Sequence, residues 1–570
     1  GGFKLGDIVN STPAFVGAPV ALPDSLQTPT HSSFLASFGN RRSMLYVGAN
    51  DGMLHGFSAT GTTTEQGQEK LAYVPAQVYE NLNKLTDPNY RNTHQFFVDG
   101  SPSVGDAFGT FDGIYTGKAT GCGTGCWRTT LVNGLGGGGQ GVFALDVTDP
   151  DGTVLSGIGF SEANAANIVL WEFIDSTTST PGNDMGYVYG EVAIAKMHNG
   201  KWMAVFGNGY NSANENAILY FVCIDGSNCF GSTNFKKIVL NPYVTATGNS
   251  NGLSAPAVYD RDNDFVADYV YAGDLRGNLW KIDVTNADPT QWASAHVDGS
   301  SVPQPLFKAV DGANAAQAIT ARPTIRLHPG GQAGYMVYVG TGRYVASGDK
   351  TPASSPINTM YGIWDNNVNS TSTPVARSNL LSQTITQYTS TGDVNNDGSV
   401  DTADSIRVVS SNTIDWTTHK GWRLDLRTNQ TDSLGEMSVT NPVLASNAPE
   451  RLIFTTLVPT QTACEYGGTS WLMEVSPVNG GNLGVSVFDI NNDGVVDAAD
   501  LKNGASVSGM NPGIGIMPEV VIVNKPGSIP LDLKLASGST GAVKSVKNYL
   551  TPPPTPSGSG TGRRSWRQIK

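Results

Sequence analysis

The chain has 570 residues, a formal net charge of −13, 68 glycines and 31 prolines, and only 15% of its residues are charged. That length is too great for one ordinary domain unless the domain is a barrel or a propeller. The acidity, with no basic stripe to offset it, argues against a nucleic-acid partner, and no apolar run reaches the length of a membrane span.

Short runs of Val, Ile, Tyr, Phe and Trp, broken by Gly, Asn, Asp and Pro, recur throughout, which is an all-β composition. The start, Gly1-Gly2-Phe3-Lys4, is not a signal peptide, so the chain is expected to be a mature piece of something longer.

A repeat runs along the sequence. The first unit takes S-T-P-A-F-V-G (11–17) and L-Y-V-G-A-N-D-G-M-L-H-G-F (45–57). The second takes S-P-S-V-G-D-A-F (101–108) and residues 129–147, and just before its second strand Cys122 and Cys126 flank G-T-G. The third takes residues 190–197, 202–210 and 218–222, and ends where Cys223 and Cys229 flank I-D-G-S-N. Such spacings suit two local disulfides in an exported protein; the rival zinc reading lacks the two-residue spacing and a His cluster. Cys464 is left over.

The fourth unit is the clearest, S-A-P-A-V-Y (254–259) followed by D-Y-V-Y-A-G-D-L-R-G-N-L-W-K-I-D-V (268–284). A fifth (320–327, 335–344, 360–365), a sixth (439–445, 452–459, 470–475) and a degenerate seventh including P-E-V-V-I-V (518–523) complete the series. About seven four-strand units predict a closed β-propeller spanning residues 1–548, with insertions near 385–412 and 486–505. The first and fourth units resemble the blade repeat of quinoprotein-type propellers.

Between the first two strands of the fourth unit lies D-R-D-N-D-F-V-A-D (260–268), where the sister units have ordinary turns such as M-H-N-G-K. Oxygens from Asp260, Asp262, Asp264 and Asp268, with the carbonyl of Val266, can wrap a hard cation. The loop departs from the EF-hand pattern, with Phe265 at position six in place of Gly and Tyr271 at position twelve in place of Glu.

Two further stretches follow the twelve-residue calcium loop closely. In D-V-N-N-D-G-S-V-D-T-A-D the ligands are Asp393, Asn395, Asp397, the carbonyl of Ser399, Asp401 and Asp404. In D-I-N-N-D-G-V-V-D-A-A-D they are Asp489, Asn491, Asp493, the carbonyl of Val495, Asp497 and Asp500. The pair resembles dockerin loops, but a dockerin needs them in close tandem and here they lie far apart. Three bound Ca2+ ions would carry the formal charge from −13 to −7.

Residues 549–570 read as a Pro/Gly/Ser spacer and a basic tail. Arg563, Arg564, Trp566 and Arg567 stand in an alternating stretch suited to docking on a partner's sheet.

Taken together, G-D-I-V-N-S-T-P, the first and fourth units, I-N-N-D-G-V-V-D and R-R-S-W-R-Q resemble the PilY/PilC-type type IV pilus tip adhesins over nearly the whole chain. The resemblance implies an extracellular protein, exported through the periplasm to the pilus tip or outer-membrane surface, one copy per tip. It would rest on minor pilins, support attachment to a host or abiotic surface, and take part in calcium-dependent control of pilus extension and retraction, hence twitching motility and virulence. Asp260, Asp262, Asp264 and Asp268 fall on that family's calcium loop, the 489–500 loop looks shared, and the 393–404 loop reads as an insertion of this member.

Two rival readings are a quinoprotein-type enzyme and a carbohydrate- or matrix-binding propeller unrelated to pili. Adjacent cysteines of the quinoprotein kind, zinc spacings and a Ser-His-Asp constellation do not stand out, so the chain is expected not to be an enzyme.

Overall fold

A computed structural model describes residues 5–111, 122–155, 157–175, 184–240, 250–351, 356–367, 374–395, 398–401, 404–428, 434–445, 449–460, 467–491, 493, 496–525 and 531–549. These residues fall into two compact units. One comprises residues up to Ala272 together with Lys281–Ala295; the other comprises Gly273–Trp280 and the residues from His296 onward.

In the first unit each repeat becomes an antiparallel sheet. Blade one orders Ala14–Val16, Met44–Gly48, Leu54–Ser58 and Glu69–Tyr73. Blade two orders Ser103–Gly109, Cys126–Gly134, Val142–Asp146 and Val169–Phe173. In blade three, Ala193–Met197, Trp202–Gly207, Ile218–Cys223 and Phe235–Val239 follow the same plan. The two central strands of blade three are buried on both faces, which is why the sequence there is a near-continuous apolar run.

The helix His31–Phe38 lies outside the repeat pattern. Its Phe34 and Phe38 join Trp127, Trp202 and Phe206 in one core cluster, and this i, i+4 pair is the local signal for a helix. Both short-range cysteine pairs are bonded, with Cα–Cα separations of 5.4 Å for Cys122–Cys126 and 6.3 Å for Cys223–Cys229.

The D-L-R-G-N-L-W motif shows how a blade turn is built. The Asp274 carboxylate is fully buried and accepts from the backbone N–H of Arg276 and of Asn278, each at 2.9 Å. It also accepts from the indole N–H of Trp280 at 2.9 Å. Gly277 supplies the left-handed turn residue at φ 78°. One side chain thereby closes the hairpin and orients the aromatic that follows it.

Blade five holds Thr324–Leu327, Tyr335–Gly340, Thr359–Asp365 and Gly421–Asp425, with Leu381–Gln383 parallel to the last. Blade six starts with Val443–Ala445, Arg451–Pro459 and Gly468–Val475, and blade seven is three-stranded, Val521–Lys525, Leu531–Ser537 and Val543–Tyr549. Trp422, fully buried, anchors the core cluster shared by Tyr338, Leu424, Phe454 and Trp471.

The insertion expected near 385–412 lies in sequence within blade five but in space extends blade six. Ile385–Thr389 and Ser405–Val409 form a hairpin, and Ser405–Val409 pairs with Gly509–Met510, which continues the blade-six sheet.

Candidate metal centre

Residues 260–268 connect Ala257–Tyr259 to Tyr269–Gly273, which pair from Ala257↔Tyr271 to Tyr259↔Tyr269. Inside the connection the Asp260 carboxylate accepts from the backbone N–H groups of Asn263 at 2.7 Å and Phe265 at 2.8 Å. Phe265 stands at φ 66°, the left-handed conformation that glycine takes at position six of a twelve-residue loop. The departure noted in the sequence is therefore one of residue type, while the backbone turn is kept at a cost in strain of about 1–2 kcal/mol.

Asp260, Asp262 and Asp268 each present a carboxylate oxygen within 4.8 Å of the others. Asp264 stands apart from this triad and caps the loop, accepting from the N–H of Val266 at 2.8 Å. Val266 and Ala267 form a two-residue strand lying parallel to Lys196 and Met197 of blade three. Asp268, 1% exposed, accepts from the N–H of Arg261 at 2.8 Å, and its other oxygen lies 3.1 Å from Nε2 of His198. His198 belongs to the M-H-N-G turn of blade three, so the loop is braced by two neighbouring repeats.

The electrostatics favour a cation. Burial pushes the carboxyls of Asp260 and Asp268 above their ordinary range, and the charges of Asp264 on Asp260 and of Asp262 on Asp268 add to it. Backbone N–H groups, and for Asp268 also His198 and Arg261, pull the other way without cancelling the rise. The Arg261 guanidinium, at 3.6 Å from Asp268 and 3.9 Å from Asp262, is half-exposed and screened by solvent. The three carboxylates are all-oxygen donors, with burial raising two of them, and suit a hard cation.

The twelve-residue loops share one internal pattern. In the first, Asp404 is fully buried and accepts from the N–H of Asn395 at 3.0 Å and of Asp401 at 2.9 Å. In the second, Asp500 is fully buried and accepts from the N–H of Ile490 and of Asp497, each at 2.8 Å. Position twelve thus ties the front of each loop to position nine. Asp393 accepts from the N–H of Gly398, whose φ is 98°. Burial also raises the Asp500 carboxyl. Asp489, Asn491, Asp493, Asp497, Asp393, Ser399 and Asp401 lie on these loops, but among the described residues the carboxylates that converge as a metal-holding group are Asp260, Asp262 and Asp268. Asp397 and Val495 lie outside the described residues, as do Cys464, Arg563, Arg564, Trp566 and Arg567.

The expectation that the two loops lie far apart holds for the sequence but not for the fold. The Ser390 hydroxyl donates to the Ile490 carbonyl at 3.1 Å, and Val394 and Ile490, both at position two, share one core cluster. Sequence reasoning also missed His198, which stands in the blade-three turn equivalent to residues 260–268 and meets Asp268 only through the tertiary fold.

The family model described as the PilY1 beta-propeller domain matches residues 5–396. The type IV pilus biogenesis factor PilY1 of Pseudomonas aeruginosa strain PAO1 is 36% identical over 99% of this chain and 45% of its own length. A PilY1 homolog of Xylella fastidiosa strain Temecula1 is 35% identical over 84% of this chain and 29% of its own length. The chain therefore spans less than half the length of these curated relatives. The crystal structure of the Pseudomonas aeruginosa PilY1 C-terminal domain aligns with a TM-score of 0.69 and 31% identity, over 95% of this chain and 100% of that one. The all-β, seven-blade propeller class expected from the repeat is the class these matches show.

Proposed function

The chain belongs to the PilY1 β-propeller family, and from that premise we propose that it is a calcium-binding, pilus-associated propeller without enzymatic activity. It sits on minor pilins at the pilus tip, supports surface attachment, and makes pilus extension and retraction responsive to calcium. The observation that carries the calcium reading is the convergence of Asp260, Asp262 and Asp268 within 4.8 Å, two of them with carboxyls raised by burial. The relatives' names, type IV pilus biogenesis factors, support the pilus assignment and the non-enzymatic role. Among the described residues no helix is long and apolar enough to cross a membrane.

Asp260, Asp262 and Asp268 would hold the ion, which supplies positive charge where three carboxylates converge. Asp264 and the backbone N–H groups shape the turn, and His198 fixes the second oxygen of Asp268. The test is a calorimetric titration of the chain with calcium, beside Asp262→Ala. Saturable heat that loses one site in the variant supports the reading; identical isotherms for the two proteins would remove the triad as a site.

A further inference from the structure

Blades one, two, three and five each carry a fourth strand beyond the third, namely Glu69–Tyr73, Val169–Phe173, Phe235–Val239 and Gly421–Asp425. Blade seven stops at its third strand, Val543–Tyr549, and among the described residues no strand pairs with the far side of that one. The edge is regular. It pairs with blade seven's second strand from Leu531↔Tyr549 to Ser537↔Val543 without a bulge, and it contains no proline. Its Val543 is 75% exposed. Lys544 is the kind of residue that guards an edge, but its ammonium donates to the carbonyl of Val394 at 3.1 Å. Such an edge offers a row of backbone donors and acceptors that a further strand satisfies.

The chain runs on for 21 residues past Tyr549. In blades one, two and three the links from third to fourth strand are residues 59–68, 147–168 and 224–234, which are 10, 22 and 11 residues long. After Tyr549 the segment 550–564 spans 15 residues, inside that range, and S-W-R-Q-I-K then begins where the repeat calls for a fourth strand. We propose that residues 565–570 are the fourth strand of blade seven, laid antiparallel on Val543–Tyr549. The sheet that receives the basic tail is then the chain's own. The six residues contain no Gly or Pro, and their two faces carry one large apolar side chain each, Trp566 and Ile569, so either face can cover Val543. A link of 15 residues reaches up to about 50 Å, about twice the length of a seven-residue strand, so it can reverse the chain without strain. A seated tail also removes the open template on which a second copy could pair.

The test is hydrogen–deuterium exchange, read by mass spectrometry, on the full chain and on a chain ending at residue 550. Along an antiparallel strand alternate N–H groups point to opposite sides, so about half the amides of Val543–Tyr549 face away from the second strand. Those amides are expected to exchange at least about tenfold more slowly in the full chain than in the shortened one. A synthetic peptide of residues 563–570 added to the shortened chain is expected to restore the protection. Arg567→Pro and Gln568→Pro, made separately in the full chain, are expected to differ, because only one of two neighbouring residues can donate to the new ladder. Slow exchange in Arg451–Pro459 shows that blade six stays folded in each protein, and the two proline variants decide the matter if the shortened chain does not fold. Equal exchange of the edge with and without the tail, or with either proline, overturns the proposal. Protection that grows with protein concentration also overturns it, by showing that the tail seats on a second copy.

Discussion

Asp268→Asn is the sharpest probe of the 260–268 loop. The substitution keeps the shape of a side chain that is 1% exposed and can keep a bond from the Arg261 N–H, while removing one of three converging charges. Without calcium the change should alter stability by no more than about 1 kcal/mol, the net worth of one hydrogen bond. With calcium the difference is larger. A site of about micromolar affinity gains about 4 kcal/mol at millimolar calcium by mass action. The unit that contains the loop has about 290 residues, and at about 2.1 cal/mol/K per residue its unfolding entropy is about 0.6 kcal/mol/K. The expected calcium-induced rise is therefore about 6–7 °C in the transition of that unit, falling to under about 2 °C in Asp268→Asn. Differential scanning calorimetry in calcium and in chelator measures both. A variant that retains the full rise would refute the placement of the ion on Asp268, and a parent with no rise would refute tight binding by this loop.

Three further outcomes follow from buried groups. Arg451 is fully buried, 3.2 Å from Glu474 and bonded to Asp532, so Arg451→Met should cost about 3–5 kcal/mol in denaturant unfolding by leaving those carboxylates under-compensated. Trp422→Ala should cost about 3–5 kcal/mol by emptying the centre of its cluster, read from the same unfolding curves. His55 lies 3.1 Å from Asp51 and 2.5 Å from Glu69. Burial lowers its pKa, but the hydrogen bonds to those two carboxylates outweigh burial and hold it above its ordinary value. The folded state then binds the proton more tightly than the unfolded one. Its contribution is complete below the unfolded value near 6.5 and is lost as pH rises through the higher folded value. His55→Gln should therefore destabilise more at mildly acidic than at alkaline pH, and an equal loss at both would contradict the ionic reading.

Much of this molecule is local chemistry and can be read one residue after another. The Asp274 carboxylate reaches only as far as Trp280, the Asp260 carboxylate only as far as Phe265, and Asp404 and Asp500 close loops of twelve residues. Bonds of that span are written in spacing, so the blades, their turns and the three acidic loops were legible in the sequence. The strand alternation, however, reports only which face of a strand is buried, not what covers it. Three-dimensional pairing brought His198 to Asp268 across 70 residues and Ser390 to Ile490 across 100. It also laid Ile385–Val409 against blade six, although in sequence that segment lies within blade five, and it buried Arg451 between Glu474 and Asp532. The sequence by itself determined the repeat, the turn geometry and the position of the acidic loops, because those depend on neighbours along the chain. Only the tertiary structure decided which loops brace one another, because that depends on backbone surfaces meeting across sheets, and no periodicity encodes such a meeting.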